Sequence, residues 1–164
     1  MPQFIYESWI AAPPNVVFAW HEQPDALVQL LPPWENMTVV AAAESLRPGQ
    51  RVILHARVGL IPLRWVAVHT VYDPPHLFVD SQERGPFRSW EHRHCFIPEG
   101  HGTRLRDEIT YTLRGGWIAH WLADWYVRRK LKRLFTFRHQ RTKVRVEKTE
   151  PIASTCGHTD VCSM

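Results

Sequence analysis

The stretch WIAHWLADWYVRRKLKRLFTFRHQRTKVRVEK spans residues 117–148 and contains neither Gly nor Pro. Its large apolar residues recur close to the period of a helix, at Trp117, Trp121, Trp125, Leu131, Leu134 and Phe135. Gly115-Gly116 precedes the stretch and Glu150-Pro151 follows it, so both ends of a helix are marked. A helix of about 30 residues is roughly 45 Å long, which is enough to cross the whole face of a sheet.

The residues before this helix alternate between apolar and polar side chains, as is typical of strands. We expect a first strand at 3–10 and then two short helices at 16–20 and 24–30. Six further strands are expected. Five of them lie at 37–43, 51–59, 62–71, 87–97 and 103–113, and the sixth lies between two short links at 73–76 and 84–86. Such short links predict an antiparallel meander, because parallel strands need crossovers of a dozen or more residues.

This order of elements resembles the START-related helix-grip superfamily (SRPBCC), which includes the birch-pollen-allergen proteins and the polyketide cyclase/dehydratase group. The resemblance covers residues 3–147 and is carried by FVDSQERGPFRSWEHRH at 78–94, GTRLRDEITY at 102–111 and RRKLKRLFTFRH at 128–139. These stretches look like the bacterial ligand-binding branch. The resemblance implies an α+β fold, in which a long C-terminal helix covers a seven-stranded antiparallel sheet over an apolar pocket. We expect one domain at 1–148 and a disordered tail at 149–164.

The hairpin formed by the last two strands has a register that the sequence predicts. If Pro98 and Thr103 flank the turn, the facing pairs are Phe96 with Leu105, His94 with Asp107, His92 with Ile109, and Trp90 with Tyr111. All of these side chains then share the inner face, and a slip by one residue would break that agreement. Facing residues lie about 4.5–5.5 Å apart at Cβ, so His94 and Asp107 can hydrogen-bond.

The neighbouring hairpin adds polar groups to the same face, with His69 opposite Asp80 and Gln82 beside them. The predicted ligand-pocket residues are Trp65, His69, Asp80, Gln82, Trp90, Phe96, Ile109 and Tyr111, with Trp121 and Trp125 as a roof. The polar members are either a buried network satisfied internally or anchors for a ligand. As an enzyme, the chain would use His94 or His92 with Asp107 as an acid–base pair.

The sequence leads to three functional hypotheses. The first is a protein that binds an apolar or aromatic small molecule, and the second is a cyclase or dehydratase that uses the His–Asp pair. The third is a carrier of a lipid or quinone that docks on a membrane. We predict no cofactor and no metal: His92 and His94 share a face, but carboxylate partners alone favour no particular metal. The three Cys residues are too few and too scattered for a disulfide framework, and Cys156 and Cys162 fit no structural zinc pattern.

The predicted helix carries ten Lys and Arg against two acids, Asp124 and Glu147. Its densest cations are Arg128, Arg129, Lys130, Lys132 and Arg133. They form either a solvated outer face or a surface for anionic lipids. Nucleic acid is not expected as a partner, since no strand motif with interleaved aromatics is present. The chain has no apolar run of 18 residues and no signal peptide, so we expect it in the cytoplasm, or at the inner face of a membrane.

Overall fold

A computed structural model describes residues 2–58, 60–114 and 117–149. The strands are β1 (Gln3–Ile10), β2 (Met37–Ala41), β3 (Arg51–Val58), β4 (Ile61–Asp73), β5 (Leu77–Arg84), β6 (Ser89–Glu99) and β7 (Gly102–Thr112). The helices are α1 (Pro14–His21), α2 (Ala26–Gln29) and α3 (Trp117–Thr149). The order of these elements is the predicted one. The tail that we expected to be disordered lies outside the described residues, except for Thr149 at the end of α3.

All seven strands form one antiparallel sheet in the order β1-β7-β6-β5-β4-β3-β2. The α+β helix-grip fold class is therefore confirmed. The first strand lies beside the last, with Phe4 opposite Ile109 and Ser8 opposite Leu105. Helix α3 packs over this part of the sheet, where the rings of Phe4 and Phe135 are 5.9 Å apart.

The predicted register of the β6–β7 hairpin is confirmed at all four pairs. Phe96 lies opposite Leu105, His94 opposite Asp107, His92 opposite Ile109, and Trp90 opposite Tyr111. The turn geometry fixes this register, and alternation then places both inner sets on one face.

The strand β4 differs from the prediction at its end. The predicted alternation continued through Val71, but Val71 is 39% exposed and Tyr72 packs against the core instead. The pairing with β5 is irregular between His69 and Val71: Thr70 has no residue opposite it on β5, and the alternation of inward and outward side chains is reversed beyond it. His69 still faces Asp80 as predicted.

Gly102 lets the start of β7 approach the end of β1 closely. A Cβ at this position would lie 2.4 Å from the carbonyl oxygen of Ile10 and 2.6 Å from the indole of Trp9. No other residue fits there without a shift of the backbone. The indole of Trp9 donates to the carbonyl of Glu99 at 3.2 Å, which fixes it over the hairpin turn.

The buried side chains between the sheet and the helices form two apolar clusters. The first includes Ile10, Phe18, Phe78, Phe96, Leu105 and Val146, and the second includes Phe4, Trp90, Ile109, Tyr111, Leu131 and Phe135. Inner-facing polar residues lie between the two clusters on β1, β4, β5, β6 and β7. We call these residues, with one histidine of α3, the polar belt: Ser8, His69, Asp80, His92, His94, Asp107 and His139.

Candidate functional site

The carboxylate of Asp107 is the centre of the polar belt and contacts three histidines. Its Oδ1 lies 2.7 Å from Nε2 of His92 and 2.8 Å from Nδ1 of His94. Its Oδ2 lies 2.5 Å from Nε2 of His139 on α3. Asp107 is only 3% exposed, so a free carboxylate here would be costly. Three imidazoles offset that cost, and the predicted His94–Asp107 contact is one part of a larger cluster.

The histidines keep Asp107 ionised. Burial alone would raise its pKa, but the charge of His94 and the hydrogen bonds from His139 and His92 outweigh burial and hold the pKa well below its ordinary value. An ionised carboxylate has only acceptors, so each ring nitrogen that contacts it carries a proton. This fixes the Nε2–H tautomer of His92 and places N–H on Nδ1 of His94.

Asp80 supplies a second carboxylate on the opposite side of the same two rings. Its Oδ1 lies 3.2 Å from Nε2 of His94 and 3.5 Å from Nδ1 of His92. Burial opposes a charge on His94, but Asp107 and Asp80 together overcome it and raise the pKa of His94 to about 9. The pKa of His92 is lowered, because burial and the nearby His94 both oppose a second positive charge. The two carboxylates therefore share one imidazolium.

Sequence reasoning missed His139, which is 2% exposed and joins the belt from α3. Its Nδ1 lies 2.7 Å from the hydroxyl of Ser8, so this ring connects β1 to β7 through the helix. The signal was present in the sequence: His139 lies one turn after Phe135, on the buried face that continues to Thr142 and Val146.

Sequence reasoning also missed His21, the last residue of α1. Its Nδ1 donates to the carbonyl of Val17 at 2.8 Å, which leaves Nε2 as an acceptor. Burial lowers the pKa of His21 to about 4, so the ring is neutral at pH 7. No local pattern identified this residue, because its role depends on where α1 meets the sheet.

A small cavity lies where α1, the sheet and α3 meet, and both missed histidines contribute to it. Its volume is about 20 Å³, enough for about one water molecule. Its lining is His21, Leu30, His94, Leu105, Asp107, Phe135, Arg138, His139 and Thr142. Burial lowers the pKa of Arg138, whose Nε donates to the carbonyl of Leu30 at 3.3 Å. Two of the three predicted catalytic residues, His94 and Asp107, thus line this cavity, and the third, His92, contacts Asp107 but does not line it.

A wider groove of about 420 Å³ lies outside this region, lined by residues of 28–39. Its one titratable group is Glu35, which is paired with Lys130 at 3.3 Å. Because the only titratable residue in its described lining is already paired, this groove has no group there placed for acid–base chemistry or for binding a charged ligand. The small cavity is therefore the candidate functional site.

The predicted aromatic residues lie together on the inner face of the sheet. Trp65 meets Trp90 edge-on at 5.2 Å, and Phe87 lies 4.7 Å from Trp90. Tyr111 and Ile109 are fully buried in the same cluster, while Phe96 is 1% exposed in the other. These rings fill the space between sheet and helix that the sequence suggested as an open pocket.

Other predicted pocket residues have partners or positions of their own. The side-chain amide of Gln82 hydrogen-bonds the backbone of Phe87 in both directions, at 2.9 and 3.3 Å, and so secures the β5–β6 connection. The hydroxyl of Tyr111 donates to Asp124 at 2.5 Å. Trp125 is 66% exposed and does not cover the cavity. The side chain of Trp121, predicted as part of the roof, lies outside the described residues.

His69 is the unusual member of the polar belt. It is 6% exposed, and neither ring nitrogen has a hydrogen-bond partner in the described part of the chain. Burial lowers its pKa, so the ring is neutral at pH 7. Burying an imidazole without hydrogen-bond partners destabilises the folded state by about 1–3 kcal/mol. His69 is therefore a candidate for contact with a group other than the protein's own atoms.

The cations of α3 are partly engaged within the molecule. Nε of Arg128 lies 2.8 Å from Asp124, and the guanidinium of Arg133 lies 4.4 Å from the ring centre of Trp34. Arg129 and Lys132 are exposed. No helix in the described ranges has an apolar run long enough to cross a membrane.

The sequence profile of the family described as polyketide cyclase / dehydrase and lipid transport matches residues 10–147. The chain belongs to this family. The match covers most of the chain and agrees with the superfamily that the sequence motifs suggested. A search of curated proteins found no matching relative.

Solved structures show the same fold at low sequence identity. Protein TTHA0849 of Thermus thermophilus is 24% identical, with a TM-score of 0.70 over 92% of this chain and 100% of its own. The ZhuI aromatase/cyclase of a Streptomyces species is 15% identical, with a TM-score of 0.68 over 93% of this chain and 98% of its own. The di-domain aromatase/cyclase StfQ of the steffimycin pathway is 16% identical, with a TM-score of 0.70 over 90% of this chain and 51% of its own.

Proposed function

We propose that this chain binds an apolar or aromatic small molecule between the sheet and α3 and anchors an oxygen of that molecule at the small cavity. The supporting observation is that the polar residues His21, His94 and Arg138 line a cavity together with members of both apolar clusters. A few polar groups in apolar surroundings are typical of small-molecule sites. The family description, which includes lipid transport, agrees with such a ligand.

The ligand requires more room than the cavity offers. Ligand pockets usually measure about 300–1,000 Å³, so binding a molecule larger than water requires α3 to move away from the sheet. The buried residues of α3, from Leu131 to Val146, hold its C-terminal half. None of residues 123–130 is buried, so we expect the ligand to enter beneath the N-terminal half.

The test uses the neutral fluorescent probe N-phenyl-1-naphthylamine, which has no charge for the basic helix to attract. We expect its fluorescence to rise on binding, and 1-naphthol to displace it better than naphthalene does. Arg138→Met keeps the apolar stem but removes the guanidinium, so this variant should lose the preference for 1-naphthol. Arg141→Met is the matched control, because Arg141 is an exposed cation of the same helix.

Two results would contradict the proposal. One is the absence of any probe binding together with native mass spectra that show no co-purified small molecule. The other is equal loss of 1-naphthol binding in Arg138→Met and Arg141→Met, which would place the probe on the outer surface.

A second candidate function is acid–base catalysis of the cyclase or dehydratase kind. The observation that favours it is that His21 and Arg138 both line the small cavity, and that the bond from Nδ1 of His21 to Val17 leaves its Nε2 as a proton acceptor. A base beside a guanidinium can remove a proton α to a carbonyl while the cation stabilises the enolate oxygen. The predicted His–Asp pair would then position the site, since Asp107 is shared by three histidines.

Proton abstraction can be tested with 5-nitrobenzisoxazole, an aromatic substrate whose ring opens when a base removes its proton. We expect His21→Ala to lower the rate at least about tenfold, given that positioned bases contribute about 10²–10⁴-fold. His76→Ala is the control, because His76 is exposed in the β4–β5 connection. Equal rates for the two variants would rule out His21 as the base.

A further inference from the structure

Three possible metal ligands of the polar belt converge on one point. One ring nitrogen of His92, one of His94 and a carboxylate oxygen of Asp80 all lie within 4.8 Å of one another. The side chains of His92, His94 and Asp80 are 5%, 13% and 16% exposed. Two imidazoles and one carboxylate, held on adjacent strands of a paired sheet, form a rigid set of donors.

The hydrogen bonds to Asp107 orient both histidines toward Asp80. Asp107 accepts from Nε2 of His92 and from Nδ1 of His94, so the opposite nitrogen of each ring faces Asp80. A bound metal ion would displace the Nε2 proton of the His94 imidazolium, and the ring would then ligate as a neutral imidazole. A carboxylate that binds the remote N–H of a ligating histidine is the usual second partner in zinc sites, where it fixes the tautomer and the ring orientation. Here one carboxylate does this for two rings.

The distances from Asp80 to the two imidazoles are long for charge-assisted hydrogen bonds. They are close to the distances between two ligands of one metal ion. Oδ1 of Asp80 lies 3.2 Å from Nε2 of His94 and 3.5 Å from Nδ1 of His92. Hydrogen bonds between charged N–H and carboxylate oxygen are usually about 2.7–2.9 Å. Ligands bound to Zn²⁺ at about 2.0–2.1 Å in a tetrahedron are separated by about 3.3–3.4 Å. The observed spacing therefore matches ligands around an ion better than it matches direct bonds.

His69 supplies an independent observation. It faces Asp80 across the β4–β5 pair, and its two buried ring nitrogens have no partner among the described residues. His69 is not one of the three converging donors. A water bound to an ion at Asp80 would give this ring the hydrogen-bond partner that it lacks among the described residues.

We propose that Asp80, His92 and His94 bind a divalent transition-metal ion of the Zn²⁺ type, with a water in the fourth position and His69 as the partner of that water. Imidazole donors favour such ions over Mg²⁺ and Ca²⁺, which prefer oxygen. Three protein ligands with one open position are typical of catalytic rather than structural zinc sites. The metal site shares His94 with the proposed small-molecule site, but Asp80 and His92 do not line the small cavity. Zn²⁺ binding and probe binding are therefore measured separately, and either one can fail without the other.

The experiment titrates the full chain with Co²⁺ and Zn²⁺ after treatment with a chelator. All variants carry Cys156→Ser, His158→Asn and Cys162→Ser, because these residues of the tail could bind the same ions. We expect one Co²⁺ per chain with the intense visible absorption of tetrahedral coordination, and displacement by Zn²⁺. Asp80→Asn and His94→Asn should each weaken Zn²⁺ binding by more than about tenfold. His55→Asn, which removes an exposed histidine of β3, should leave it unchanged.

A second measurement covers the case in which the Asp80 or His94 variant fails to fold. Long-range ¹H–¹⁵N spectra of the imidazoles in the parent chain should show Zn²⁺ shifting Nδ1 of His92 and Nε2 of His94, with the Asp107-facing nitrogens still protonated. The proposal is overturned if no ion binds, if binding survives both variants, or if Zn²⁺ shifts only other histidines.

Discussion

Nε2 of His139 on α3 donates to Oδ2 of Asp107 on β7 across 2.5 Å, and this bond attaches the long helix to the strand next to the β1 edge of the sheet. Both residues are almost fully buried. The other oxygen of Asp107 is shared by His92 and His94, so the helix is connected through one carboxylate to β6 as well. The stability of the domain should therefore depend strongly on Asp107.

Asp107→Asn should destabilise the protein by about 3–5 kcal/mol, because it leaves buried imidazoles without their anionic acceptor. Urea unfolding followed by Trp fluorescence measures this loss. Glu108→Gln is the matched control: Glu108 is the next residue, faces the other side of β7 and pairs with Arg106 near the surface. We expect less than about 1 kcal/mol for it. Equal effects for the two variants would show that Asp107 is not the centre of the network.

His21 should make the folded state sensitive to mild acid. Its pKa is about 4 in the folded chain against an ordinary value of 6.5. Between these values the unfolded chain binds a proton that the folded chain does not, so the free energy of unfolding falls as the pH drops from 6.5 to 4. The loss from this group is at most about 3 kcal/mol.

His21→Asn keeps a donor for the carbonyl of Val17 but cannot titrate. The difference in unfolding free energy between parent and variant should therefore change across this pH window and stay constant above pH 7. A difference that does not vary with pH would contradict the burial of a neutral His21.

Gly102→Ala should cost about 1–3 kcal/mol, since the new Cβ would overlap the carbonyl of Ile10 and force β1 and β7 apart. Gly100→Asn, in the same turn, is the control. Gly100 has φ of +61°, which Asn tolerates, and no atom lies within 4 Å of its Cβ position. Thermal unfolding compares the two. A larger loss for Gly100→Asn would show that turn conformation matters more than the close approach.

The membrane-carrier hypothesis also leads to a test. Arg129 and Lys132 are exposed beside Trp125 and Tyr126, which are 66% and 53% exposed. If this surface docks on anionic lipid, Arg129→Gln with Lys132→Gln should weaken binding to phosphatidylserine vesicles by about 2 kcal/mol, or roughly thirtyfold. Arg57→Gln with Arg64→Gln is the control, as these exposed cations lie on β3 and β4. Absence of binding by the parent chain at low salt would exclude membrane docking.

The sequence predicted the β6–β7 hairpin correctly because two independent constraints agree there. The turn limits the register, and the apolar pattern of both strands selects one face. The end of β4 was predicted wrongly at Val71, because the irregularity at Thr70 depends on how the strand fits its neighbour β5. The alternation of apolar and polar residues within β4 alone cannot predict where its pairing with β5 becomes irregular.

The candidate site was predicted in part for a similar reason. Residues that face each other across a hairpin, such as His94 and Asp107, follow from local register. His139 and His21 join them from helices far away in sequence, and only the packing of those helices brings them near. The size of the pocket also could not be predicted, since the same aromatic residues can surround a void or fill it.

The polar belt between the two apolar clusters has a consequence for how α3 finds its place. Apolar side chains such as Leu131 and Phe135 are interchangeable enough that a helix could slide along an apolar surface by one turn at modest cost. A shift of one turn, about 5.4 Å, would move His139 away from Asp107 and Ser8, and Oδ2 of the buried Asp107 carboxylate would lose its hydrogen bond from His139. The polar belt thus selects one docking position of α3 among several that would bury similar apolar surface.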